Sequence, residues 1–207
     1  MKKILTLALV LCFSGVALSQ NSPENQEYES LFSLKNTRGY IALNVGSMNL
    51  TDDNLSARTG GTAAVIFNHK LAIGVTGSGF VGYQNTNLSS ETYSVVGGYG
   101  GLLIEPIIGS HKAVHLSFPV SFGAGQSQFF KDSLGYREWD NFYRDEFVQD
   151  FIYIEPGVNV EFNLAKFMRF GVGASYMLSD LVNTTLVSTN PMDGLGFSAN
   201  LKFGWFK

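Results

Sequence analysis

The chain carries few residues able to do bond-making chemistry, and their spacing is the first thing to weigh. Histidine occurs three times, as His69, His111 and His115. Acyl transfer or hydrolysis on a protein surface needs a nucleophile beside a histidine base, or an Asp and His pair. All three histidines fall at or next to short connections, and none lies in a long polar loop, so an enzymatic role is not expected. Nor is a metal or other cofactor. Asp52 and Asp53 lack the further spaced oxygens of a calcium loop, and the histidines lack ligand spacing. The charged residues that do recur at regular positions are Glu105, His115, Glu155, Glu161, Arg169 and Lys202, accompanied by Asn159 and Asn200. Charges of both signs at alternate positions of apolar segments need partners, and pairing inside a filled lumen is the chemistry they suit. An ion or proton path through that lumen is the functional alternative, weakened by how little room a narrow barrel leaves.

The segments that carry these residues repeat one design eight times between residues 40 and 207. About ten residues alternate bulky apolar side chains with small or polar ones and end in turn chemistry. The expected strands cover about 39–48, 59–67, 71–83, 93–106, 113–123, 151–161, 169–177 and 196–205. In the fifth, Val114, Leu116, Phe118, Val120 and Phe122 oppose His115, Ser117, Ser121 and Gly123. The fourth alternates poorly because Gly97, Gly98, Gly100 and Gly101 occupy both faces. Connections rotate between long and short. Long polar loops are expected near 49–58, 84–92, 127–150 and 180–193, and tight turns at 68–70, 109–111 and 164–166. With an even number of strands, both termini share the side of the tight turns. In outer-membrane barrels that is the periplasmic side.

Composition says which face looks out. Charged residues make up 15% of the chain against roughly 25% in soluble domains. The apolar sets are bulky and uncharged, while the opposite sets are mostly Gly, Ser and Asn. That is poor cover against water but good filling for a narrow lumen. The expected fold is an all-β, closed, eight-stranded antiparallel transmembrane β-barrel with its apolar face in lipid. A soluble carrier would reverse the two faces. Tyr40, Tyr83, Tyr93, Tyr176 and Trp205 fall near strand ends, where amphipathic rings favour the membrane interface.

Residues 1–19 read as an export signal: Lys2 and Lys3, an apolar stretch over 4–13, and a small-x-small site at Ala17 and Ser19, with cleavage expected between Ser19 and Gln20. Residues 20–37 read as a flexible periplasmic leader and 38–207 as the barrel. The one cysteine, Cys12, falls within the signal, so no disulfide is expected in the mature protein. Loss of the two signal lysines leaves 12 basic against 17 acidic residues, a net charge of −5. No basic cluster suggests nucleic acid. The expected partners are the outer-membrane bilayer, the barrel assembly machinery during insertion, and a surface ligand of unknown kind.

The segments GYGGLLIEPII, HLSFPVSFGAG, FIYIEPGVNVEFNL and RFGVGASY resemble the small outer-membrane β-barrel proteins of Gram-negative bacteria, related to the OmpA transmembrane domain and OmpX. Within that group they look like the "porin family", or outer-membrane β-barrel-domain type. The resemblance implies fold and location but brings no catalytic residues. Exterior loops are where such a protein would act. In the longest, Phe129, Phe130, Tyr136, Arg137, Trp139, Phe142 and Tyr143 interleave with charges, which suits either a recognition surface or a cap folded over the barrel mouth. The reading is a structural, adhesive or surface-recognition role. The alternative is a narrow channel or uptake pore, and a lipid-modifying enzyme is the third possibility.

Overall fold

The computed structural model describes residues 37–50, 54–85, 92–131, 148–182 and 193–206. They form one antiparallel sheet that closes on itself. Its strands are β1 (Arg38–Leu50), β2 (Asn54–Phe67), β3 (Leu71–Asn85), β4 (Thr92–Ile108), β5 (Val114–Ser117), β6 (Val120–Lys131), β7 (Val148–Ala165), β8 (Met168–Leu181) and β9 (Gly194–Gly204). β1 to β4 pair in chain order, β5 and β6 follow each other end to end and both pair with β4 and with β7, β7 to β9 pair in order, and β9 returns to β1. With β5 and β6 counted as one stave, the ring has eight, and no sheet edge is left unpaired.

The interruption between β5 and β6 falls inside what alternation reads as one strand, at Phe118 and Pro119. Proline has no N–H to give the ladder. The register nevertheless runs straight through: Ser117 stands opposite Asn159, and Val120 opposite Pro156. Phe118 N still donates to Pro106 O at 2.9 Å, and Gly157 N to Pro119 O at 2.8 Å. The wall is therefore continuous.

The two faces separate as the apolar alternation requires. On β1, Ile41 and Leu43 are 64% and 65% exposed, whereas Ala42 between them is 5% exposed. The same phase holds around the ring, so the bulky aliphatic set points away from the lumen. On β4, where glycines blur the pattern, Val95, Tyr99, Leu103, Glu105 and Ile107 are buried and Leu102, Ile104 and Ile108 are exposed. At the middle of the wall Gly101 pairs with Gly123, and a Cβ on either would run into the backbone of its partner strand.

Tight turns are built from residues that tolerate positive φ. Asn68 (50°) and His69 (58°) lead the three-residue turn 68–70 expected between Phe67 and Leu71, which pair across it, and Lys70 N donates to Phe67 O at 3.0 Å. Gly109, at φ 74°, starts the next short connection. At the other end the strands outrun the sequence expectation. β6 continues to Lys131 and β7 begins at Val148, because the polar side chains there still alternate in and out: Ser127 and Gln149 are buried, Gln128 and Asp150 exposed. Phe129 and Phe130 therefore stand on β6, opposite Val95 and Ser94, and not in a loop.

Tyr40 corrects another expectation. It lies inside the barrel, 5% exposed, because it keeps the phase of Ala42 and Asn44. Tyr176 and Trp205 do face outward, at 47% and 77% exposure. The side chains of Tyr83 and Tyr93, together with residues 1–36, lie outside the described residues.

Candidate functional site: two ionic tiers in the lumen

Glu155 and Glu161 stand six positions apart on β7, roughly 20 Å of strand, and each anchors one tier of charge. The lower tier is near the tight turns. Lys202 Nζ on β9 donates to Glu105 Oε1 on β4 and to Glu161 Oε1 on β7, both at 2.6 Å. Tyr40 Oη donates to Glu105 Oε2 at 2.5 Å. His115 Nε2 lies 3.0 Å from Glu161 Oε2, and Arg169 Nη1 lies 3.9 Å from the same oxygen. The Ser117 hydroxyl sits between the carboxylates, 2.7 Å from Glu105 Oε1 and 2.8 Å from Glu161 Oε1, and gives its single proton to one of them. Asn159 Nδ2 reaches Ser117 Oγ at 3.4 Å. Two carboxylates face one ammonium, one guanidinium and the His115 imidazole, so each buried acid has partners of the kind a site this buried requires.

The upper tier is Arg58 on β2, Tyr99 on β4, Glu155 on β7 and Ser175 on β8. Arg58 Nη1 donates to Glu155 Oε1 at 2.5 Å and to Tyr99 Oη at 3.0 Å, and its Nη2 donates to Ser175 Oγ at 3.0 Å. Ser175 Oγ in turn donates to Glu155 Oε1 at 2.5 Å. Between the tiers lies a polar cavity of about 100 Å³, lined by Asn44, Thr62, Thr76, Ser121, Asn159 and Asn200 among others.

Apolar side chains close both ends. Toward the tight turns, Ile66, Ala72, Leu103, Ile107 and Phe206 pack with Tyr40. The Arg169 guanidinium lies 4.0 Å above the Phe206 ring, a cation–π contact that holds the C-terminal aromatic inward. Toward the long loops, Met48, Phe80, Val95, Phe151, Tyr153 and Met177 pack around Tyr99. The Tyr99 and Tyr153 rings meet edge to face at 4.9 Å.

No protein-family model matches the chain, and no curated protein matches it by sequence. By fold it is similar to the outer membrane protein OprG from Pseudomonas aeruginosa, with TM-score 0.56 at 12% identity, over 81% of this chain and 95% of that one. It is also similar to Neisserial surface protein A, with TM-score 0.51 at 12% identity, over 81% and 96% of the two chains. The fold is that of a small outer-membrane β-barrel. Identity this low carries the likeness no further than architecture.

Of the residues that alternation places inside, Glu105, His115, Asn159, Glu161, Arg169 and Lys202 come together in the lower tier. Glu155 stands apart in the upper one. Asn200 is 6% exposed and lines the cavity between them, its Oδ1 accepting from no protein group. Arg58, Tyr40 and Tyr99 belong to the network but are absent from the expected set. Arg58 falls one residue before the expected start of its strand, although it shares the period of Gly60 and Thr62. Tyr40 reads as an interface aromatic from its place near a strand end. Tyr99 lies in the glycine-rich segment where alternation gives no facing. Of the candidate recognition residues, Phe129 and Phe130 are on β6, and Tyr136, Arg137, Trp139, Phe142 and Tyr143 lie outside the described residues.

Proposed function

We propose that this protein is an integral outer-membrane barrel of the porin-family type whose wall and lumen are structural and whose activity, adhesion or surface recognition, resides in its exterior loops. One observation carries the reading: side chains pack across the lumen at both ends, with ion pairs between. Such an interior fixes strand register and offers no continuous aqueous path. The outward belt of Ile, Leu, Val and Phe supports placement in a bilayer, and the fold supports the outer membrane. Export through a signal removed near Ser19 and insertion by the barrel assembly machinery follow from that placement. The role involves no catalysis, cofactor or metal. His69 and His111 are in tight turns, and His115 is engaged with Glu161.

The polar cavity between the tiers is the feature that a narrow channel or uptake pore would use. Planar-bilayer recording separates the two readings. The packed lumen predicts no steady conductance steps from the purified protein. Reproducible steps abolished by Glu155→Gln would replace the loop reading with the pore. Under the loop reading, a barrel with 133–146 replaced by a short Gly and Asn link folds normally but loses the surface ligands that the full chain captures from intact cells.

A further inference from the structure

Between the ionic tiers the inner wall is made of small and neutral polar residues, and the cavity there follows from their size. On β8, Gly171 and Gly173 face the lumen at positions where a Cβ would run into Asn200 Oδ1 and Asn159 Oδ1. Without side chains on β8, both carboxamides lie back against the wall. Ala42, Gly60, Gly157 and Ala174 add little bulk from the other staves. The middle of the lumen therefore stays open over about 100 Å³.

Hydrogen bonds on the β1 to β3 side run along the wall. Asn44 Nδ2 donates to Thr62 Oγ1 at 3.0 Å, and Thr76 Oγ1 donates to Gly61 O at 3.3 Å, so the 3.1 Å contact between the two threonines takes its proton from Thr62. Both hydroxyl protons are thereby used, and each oxygen keeps a lone pair. On β9, beside Asn44, Asn200 is 6% exposed and its Oδ1 has no protein donor. The two carboxylates in the lining already hold cations, Glu105 with Lys202 at 2.6 Å and Glu155 with Arg58 at 2.5 Å. What these walls still need is a small neutral donor. A polar cavity with several such partners holds water, whereas a dry one is lined by hydrocarbon.

We infer that the cavity is the binding site of a resident water cluster, which donates to Thr62, Thr76 and Asn200 and completes the hydrogen bonding of the waist between the two ionic tiers. At about 30 Å³ per molecule, the space takes roughly three waters. The cluster is enclosed, because apolar side chains pack across the lumen beyond each tier. It is also neutral, so it needs no charge beyond those the tiers already pair. The inference does not depend on what the exterior loops bind.

Leu103 and Ile107 supply the test. Both are aliphatic, inward on β4 and almost equally buried, at 5% and 4% exposure, but Leu103 lines the cavity and Ile107 packs in the seal toward the tight turns. Pulsed X-ray irradiation of the barrel in lipid vesicles makes hydroxyl radicals from every water, enclosed ones included, and mass spectrometry reads the oxygen added to each side chain. The cluster predicts that Leu103 is oxidised several-fold faster than Ile107. Thr62→Val, Thr76→Val and Asn200→Leu together keep side-chain size, remove the neutral acceptors, and should bring Leu103 down to the rate of Ile107. Leu103 no faster than Ile107 in the unaltered chain means a dry cavity and overturns the inference, whether or not the triple variant folds. A folded triple variant in which Leu103 stays fast overturns it as well, since these acceptors would then hold no water. Fast oxidation of both residues means bulk water along the lumen, and that result removes the packed-lumen reading together with the inference. Oxidation of Leu103 that appears only after sodium and potassium are replaced by choline means that a metal cation fills the site, and this too overturns the inference.

Discussion

Arg58 and Glu155 meet inside the barrel with a tenth of each side chain exposed, and neither charge is stable there alone. Removing one partner leaves the other desolvated, at a cost of about 3–5 kcal/mol, whereas replacing both by apolar groups of similar volume is close to neutral. Arg58→Met is therefore expected to lower stability by that amount in urea unfolding followed by the heat-dependent gel shift. Arg58→Met with Glu155→Leu should recover most of it. A double variant no more stable than the single would mean that the tier is held by something other than this pair. At this scale the sequence is half legible. Glu105, Glu155 and Glu161 announce themselves as acids in an apolar alternation. Which partner each one meets is not legible, since alternation gives the facing of a residue but not which stave lies across the lumen. Lys202 reaches Glu105 over 97 residues of chain, and that proximity exists only once the ring closes.

The staves are the most legible level, because a period of two is a local property. Strand β1 shows it most sharply, with Ile41, Leu43 and Val45 out and Ala42 and Asn44 in. Where the period fails, the cause is physical. Gly97, Gly98, Gly100 and Gly101 have no side chains to alternate, and the β5 to β6 break reflects two prolines, Pro106 and Pro119, on neighbouring staves. The strands also extend further toward the long loops than expected, since polar residues such as Ser127 and Gln149 still face inward beyond the apolar belt. Facing makes a quantitative prediction. Leu43→Arg, at mid-stave on the outer face, should destabilise the folded barrel by about 2–4 kcal/mol in lipid vesicles, while Leu43→Phe should be nearly silent. Equal stability of the two variants would place Leu43 away from hydrocarbon.

Taken as a molecule, the barrel is an apolar cylinder with a short-turn end, a loop end, and a lumen filled in layers: apolar seal, ionic tier, cavity, ionic tier, apolar seal. Closing the ring satisfies every strand edge without water, the condition for crossing a membrane with strands. The layered filling explains how a chain with no disulfide expected in its mature form can hold a single register. Each tier ties three or more staves together, and slipping any stave by one residue would turn its charge outward. The most direct test is nitroxide scanning along β1 in lipid vesicles, with Cys12→Ser and single cysteines at positions 41 to 46, reading collision rates with oxygen and with a water-soluble nickel chelate. Labels at Ile41, Leu43 and Val45 are expected to collide with oxygen alone, and labels at Ala42, Asn44 and Gly46 with neither reagent. Nickel access at the even positions would reveal a water-filled pore, and nickel access at the odd ones a barrel that does not sit in lipid.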